Sequence, residues 1–262
     1  MNCKKILWYS DYGKDCMTGY ATVTRNLIDQ LKKAYGKDLH ITVCAVNYYD
    51  KTYTEYDNTV EVVSAKFGPD GKLRTGKFFD EDDFGRTHFL WLYRNMKFDA
   101  VFILADYSTV STIVPLMKAY DAEMNFKKPF NIFYFPVDGP IISNQENEKF
   151  ESGNLVFQKE SYKKFLSKNI NHINAISYFD KAVTFTQYGY DEVIKRAGII
   201  DKGHLINSGK LKVIYHGTNI NDFYPVFEPQ RQKLREKHFG KLSGRTIIGL
   251  INRNQPRKDI RT

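Results

Sequence analysis

Seven runs of consecutive apolar, β-branched or aromatic residues recur along the chain: Ile6–Ser10, Ile41–Asn47, Ala100–Ala105, Asn131–Val137, Ala182–Thr186, Lys212–His216 and Thr246–Asn252. Most are unbroken rather than alternating, the pattern of strands buried on both faces of a parallel sheet. Between them the period lengthens to that of a helix. In YATVTRNLIDQLKKAYG the residues Val23, Leu27, Leu31 and Ala34 share one face, and Gly36 sits where a helix stop belongs. Further helices are predicted around Phe84–Met96, Thr109–Tyr120, Glu160–Ile176, Tyr190–Ala197 and Gln230–His238. This strand–helix alternation predicts a doubly wound α/β fold with a mostly parallel sheet.

One stretch departs from the alternation. VEVVSAKFGPDGKLRTGKFF carries a Pro-Asp-Gly turn between extended runs, which predicts a β-hairpin insertion near 60–79, turning at Pro69–Gly71. Later, GTNINDFYPVFEPQ concentrates turn formers and two prolines and reads as a linker over 217–229. It separates a first domain, 1–216, from a stretch, 230–262, that holds only one helix and one strand and so reads as the truncated start of a second domain.

Composition narrows the function classes. The chain has 262 residues, 42% of them hydrophobic, enough for a large core. No apolar run approaches the roughly 20 residues that span a bilayer. The opening MNCKKILWYSDYG is interrupted too soon for a signal peptide. Cys3, Cys16 and Cys44 make no metal or redox spacing, so a reducing, cytoplasmic setting is expected. The net charge of +9 invites nucleic acid as a partner, but ten Lys/Arg against three acids crowd into 228–262. The rest of the chain is close to neutral and offers no broad surface to track a phosphate backbone. No metal-binding spacing occurs, and His172 has no second ligand nearby in sequence. FQKESYKKFLSKNINHI mixes lysines with aromatics and reads as a solvated amphipathic helix, with weak peripheral contact to an anionic membrane as the alternative.

Four places could carry chemistry, because open α/β sheets bind ligands at the carboxyl ends of their strands. SDYGKDCMTGYATV brings Gly13 and Gly19 to a helix amino terminus, where free N–H groups favour an anion; it is not the dinucleotide fingerprint, and two turn glycines explain it as well. FNIFYFPVDGPI ends its strand in Asp138, which could hold a sugar hydroxyl or act as a base, or merely begin an Asp-Gly turn. KLKVIYHGTNINDFYP places His216 and Gly217 after another strand. Arg253 and Lys258 flank a turn containing Pro256, and two such cations could neutralise a diphosphate or belong to a charged loop.

Taken in order, ILWYSDYG…TGYATVTRNLIDQL, FDKAVTFTQYGYDEVIKRAG, KLKVIYHGTNINDFYPV and IIGLINRNQPRKD resemble the retaining GT-B glycosyltransferases of the glycogen-synthase-like, group 1 family. The last segment is similar to that family's strand followed by G-R-x-x-x-x-K-G, without the glycines. The resemblance implies two Rossmann-like domains facing across a cleft, the first for the acceptor and the second for a nucleotide sugar. It assigns Gly19, Arg253 and Lys258 to the donor phosphates, places His216 and Gly217 at the cleft, and leaves Asp138 as a sugar or acceptor contact where many members have histidine. It implies a nucleotide-diphosphate sugar as substrate, retention of configuration, no metal and no resident cofactor. Because the family's second domain continues for about 100–150 residues more, the resemblance also implies that 1–262 alone is a fragment with little transferase activity. A non-catalytic module binding a phosphorylated sugar or a protein partner is the alternative. Donor, acceptor identity and oligomeric state are not written in these residues.

Overall fold

The computed structural model describes residues 3–64, 84–123, 125–138, 172–199, 208–217, 220 and 224–247. The chain divides into two compact units, Met1–His216 and Gly217–Thr262.

The first unit is built on one eight-stranded sheet. Its strands are β1 (Lys4–Asp11), β2 (Leu39–Val46), β3 (Tyr53–Glu55), β4 (Val60–Ser64), β5 (Ala100–Leu104), β6 (Phe130–Phe135), β7 (Lys181–Thr184) and β8 (Leu211–Val213). They lie in the order β3-β4-β2-β1-β5-β6-β7-β8. All neighbours are parallel except the β3–β4 pair at one edge. The helices are α1 (Gly19–Tyr35), α2 (Arg86–Asn95), α3 (Tyr107–Glu123), α4 (172–178) and α5 (Gln187–Ile199).

Side chains alternate across the sheet into two apolar layers. Trp8, Val43, Ala45 and Val62 pack with Ile28 of α1, and Trp8 stacks on Phe102 with centroids 4.0 Å apart. On the opposite face Leu7, Tyr9, Val101, Ile103, Phe133 and Phe135 pack against residues of α2, α3, α4 and α5. Helices therefore cover both faces, as the unbroken apolar runs require. Each fully buried side chain of this size contributes about 2 kcal/mol.

Two features differ from the sequence reading. The most buried residues of α1 are Ala21, Thr24, Ile28 and Lys32, whereas Val23, Leu27 and Leu31 flank that stripe half-buried. Polar residues can occupy the buried stripe because each has a partner: the Thr24 hydroxyl donates to Ser10 Oγ at 2.9 Å, and Lys32 Nζ donates to the Leu39 carbonyl at 2.6 Å and to that of Gly36. Second, Val60–Ser64 is not the first arm of an insertion but a strand of the main sheet, paired in parallel with β2. Its turn, 56–59, lies on the other side, joining it to β3, with Tyr56, Asp57 and Asn58 all at positive φ. Pro69–Gly71 lies outside the described residues.

In the second unit α6 (Gln230–Phe239) has no buried residue. Arg235 ties its end down by donating from Nε to the Ser243 carbonyl at 2.6 Å and from Nη2 to the Arg245 carbonyl. The strand expected at Thr246–Asn252 lies outside the described residues beyond Ile247. No described helix is long and apolar enough to cross a membrane.

Candidate functional site

The strand order reverses at β1: the chain first builds outward through β2 and β4, then returns to place β5 on β1's other side. Such a switch point opens a crevice at the carboxyl ends of the two central strands. The residues there follow from the ends of β1, β5 and β6, each of which delivers an aspartate: Asp11 closes β1, Asp106 follows β5 by two residues, and Asp138 follows β6 by three.

Asp11 is held most tightly. It accepts a hydrogen bond from the Thr18 hydroxyl at 2.5 Å and another from Asn47 Nδ2 at 3.1 Å. Thr18 is also the N-cap of α1, its hydroxyl oxygen accepting from the Ala21 N–H at 3.1 Å. One hydroxyl thus couples the carboxylate to the helix start. Burial raises the Asp11 pKa above the usual carboxylate value, opposed by the Thr18 and Asn47 hydrogen bonds and assisted by the nearby charge of Asp106.

The loop between strand and helix is braced from outside. Arg25 donates to the Gly13 carbonyl at 3.2 Å, and the Tyr12 hydroxyl donates to Glu55 at 2.8 Å. Gly13 has φ of 128°, and a Cβ there would meet the Tyr48 ring at 2.8 Å. Gly19 is the first residue of α1 with open space around it. The residue that shapes this turn is therefore Gly13, and Gly19 leaves the helix start accessible.

Tyr20 crosses the switch point. Its hydroxyl donates to Asp106 Oδ1 at 2.6 Å, and its proton is held well above the ordinary phenol range by burial, by that bond and by the charges of Asp106, Asp138 and Asp11. Asp106 in turn starts α3, its carbonyl accepting from the N–H groups of Thr109 and Val110. Asp138 is exposed, and its charge reaches the hydroxyls of both Tyr20 and Tyr107. Among the described residues no group of His, Cys, Asp and Glu is arranged to hold a metal ion.

Beyond β6 the rim becomes aromatic. Phe185, just after β7, lies edge-on to Tyr134 at 4.4 Å and to Tyr20 at 6.5 Å. His216, after β8, tilts over Phe185 at 3.8 Å and meets Tyr134 edge-on at 5.4 Å. The Tyr134 hydroxyl donates to the Ile214 carbonyl at 2.9 Å and so fixes the segment that carries His216. Partial burial lowers the His216 pKa, which favours neutral imidazole at neutral pH. Gly189 of α5 packs so closely that a Cβ would lie 3.2 Å from Val137, the residue before Asp138.

Of the residues singled out in the sequence, the first unit brings Gly19, Asp138 and His216 to the same rim. Gly217 follows in chain and is exposed. Arg253 and Lys258 lie outside the described residues, as does most of the stretch considered for membrane contact. Asp11, Thr18, Tyr20, Asn47, Asp106 and Phe185 were not singled out. Two of them, Asp11 and Asp106, share a readable signal with Asp138: WYSD, ILAD and FPVD each end an apolar run with aspartate.

No family model and no curated protein matches the chain in sequence. Among solved structures, the catalytic domain of starch synthase IV from Arabidopsis thaliana, bound to ADP and acarbose, is similar over 90% of this chain at a TM-score of 0.50 and 14% identity. The Rossmann-like fold is of the GT-B type. Sucrose-phosphate synthase from Thermosynechococcus elongatus is similar over 89% of the chain at 12% identity and a TM-score of 0.46. The chain spans 59% and 52% of those two GT-B chains respectively. At such identities the likeness carries the fold alone, and the site must carry the chemistry.

Proposed function

We propose that this protein is a glycosyltransferase that moves a sugar from a nucleotide-diphosphate sugar to an acceptor with retention of configuration. The observation that supports it is the switch-point rim on a GT-B domain: an open α1 start at Gly19 beside hydrogen-bonding carboxylates and an aromatic ledge. The first unit is the acceptor side. Asp138 contacts the acceptor or the transferred sugar, and the free N–H groups at Gly19 face the donor phosphates. Arg253 and Lys258 neutralise the departing diphosphate without a metal, the Arg through its planar fork and the Lys as a compact charge. Residues 217–229 link the two halves, and 230–262 opens the donor side. The three cysteines, none of them in a disulfide, suit a reducing compartment such as the cytoplasm.

The test is acceptor-dependent release of nucleotide from ADP-, UDP- and GDP-sugars by the complete gene product, with the anomeric configuration of the product read by NMR. Release that is lost in Arg253→Ala and Lys258→Ala is the expected result. Nucleotide-sugar binding without transfer by the complete gene product would favour a non-catalytic binding module instead. An inverted product would overturn retention.

A further inference from the structure

We propose that His216 is a sugar-contacting residue, displayed on a ring platform of Phe185, Tyr134 and Tyr20 that takes an uncharged saccharide. The inference deepens the glycosyltransferase reading and rests on it.

The platform is layered. Tyr134 is buried at its base, Phe185 is half-buried above it, and His216 is exposed at the top. The imidazole is backed by the Phe185 ring at 3.8 Å and flanked by Tyr134 at 5.4 Å, so two contacts from two different strands set its orientation. The Tyr134 hydroxyl is engaged at the Ile214 carbonyl, which anchors the backbone two residues before the histidine. An ordered exposed ring costs less entropy to bind than a mobile one.

The chemistry of the exposed group limits what it can take. A neutral imidazole presents one donor and one acceptor nitrogen, a match for a hydroxyl that both gives and receives a hydrogen bond. The neighbouring rings of Phe185 and Tyr20 supply apolar surface for the C–H groups of a pyranose. Along the same rim the Tyr20 hydroxyl feels the charges of Asp106, Asp138 and Asp11 together, a field that opposes an anionic acceptor. Neutral imidazole, apolar ring surface and nearby negative charge together favour a polyhydroxylated, uncharged ligand over a phosphorylated one.

The test is a titration of the purified chain with methyl α-D-glucopyranoside, methyl α-D-mannopyranoside and methyl α-D-galactopyranoside, following the histidine ring signals by NMR. His40 and His238, both exposed elsewhere, are internal controls. The expected result is a saturable shift of the His216 ring with at least one glycoside, in the millimolar range, with the controls unmoved. Phe185→Leu keeps an apolar side chain and removes the ring; it should weaken that binding several-fold while the sheet's spectrum is retained. Inorganic phosphate is the anionic probe and should leave His216 unshifted at fixed pH. Equal shifts at His216, His40 and His238, or no saturable shift with any of the three glycosides, would overturn the proposal. So would saturation by phosphate in place of glycoside. Nucleotide release by the complete gene product is measured separately, so transfer that survives loss of the platform would sink this inference and leave the glycosyltransferase reading standing.

Discussion

The two ends of the sheet in the first unit treat polar groups in opposite ways. At the amino ends of the strands they are consumed by one another. Asp121 of α3 accepts from the Tyr93 hydroxyl and, at 2.8 Å, from that of Tyr178; Asn131 Nδ2 donates to Tyr178 at 3.2 Å, and Lys128 closes the set, 3.3 Å from Asp121 and 4.0 Å over the Tyr178 ring. Two Phe-Asp pairs work as stitches there. Asp99 accepts from the Lys5 N–H at 2.9 Å to tie β5 to β1, and Asp180 accepts from the Asn131 N–H at 2.8 Å to tie β7 to β6. At the carboxyl ends, aspartates Asp11, Asp106 and Asp138 and the imidazole of His216 gather around an open helix start. The same residue types serve both ends: at the amino end they tie strands and helices together, and at the carboxyl end Asp11 and Asp106 are held by Thr18, Asn47 and Tyr20 at the switch point.

Breaking the stapled end should cost stability. Asp121→Ala leaves the Tyr93 and Tyr178 hydroxyls only each other, at 3.0 Å, and Asn131 as partners. It should destabilise the fold by about 2 kcal/mol, within the range for an unsatisfied buried group, measured by urea denaturation. Sugar binding by the remaining folded protein should be unchanged. Gly13→Ala comes next. Its φ of 128° and the 2.8 Å approach to Tyr48 should make it cost about 2 kcal/mol, and here binding should suffer as well because the loop moves. Thr18→Ala removes the α1 cap and should cost about 1 kcal/mol, with Thr18→Ser restoring it.

The smallest effect is one of pH. The Lys5 backbone N–H, with help from the Lys4 charge, holds the Asp99 carboxyl below its usual pKa. A lowered carboxylate pKa stabilises the fold above the unfolded value, near 3.8, and the contribution fades as pH falls through the lower folded value. Asp99→Asn should therefore be slightly less stable than the parent at pH 7, the gap closing at pH 3. A gap that stays constant with pH would show that the stitch does not depend on its charge.

The contrast also explains what was legible in the chain. Unbroken apolar runs announced β1, β2, β5, β6 and β7 because their centres are buried on both faces, whereas the edge strand β8 is shorter than its predicted run 212–216, which continues past Val213 into exposed residues. β3 and β4 were obscured, since Tyr53–Glu55 is only three residues long and the Pro-Asp-Gly after Val60–Ser64 drew attention away from the 56–59 turn that precedes it. The buried stripe of α1 was displaced by one position, because the acceptors for Thr24 and Lys32 come from Ser10, Gly36 and Leu39, contacts that periodicity does not encode. Asp138 and His216 stood out by following strands. Asp11 and Asp106 follow strands too, but their importance comes from Thr18 and Tyr20, partners that only the folded switch point brings within reach.

The most direct test of the account is an amide chemical-shift map of the purified chain as the methyl glycosides are added. Shifts confined to residues 10–20, 105–107, 137–138, 185–186 and 214–216, with Tyr93, Asp121, Asn131 and Tyr178 unmoved, are the result the account expects. Shifts centred on the stapled end, or none at the carboxyl rim with any glycoside, would contradict it.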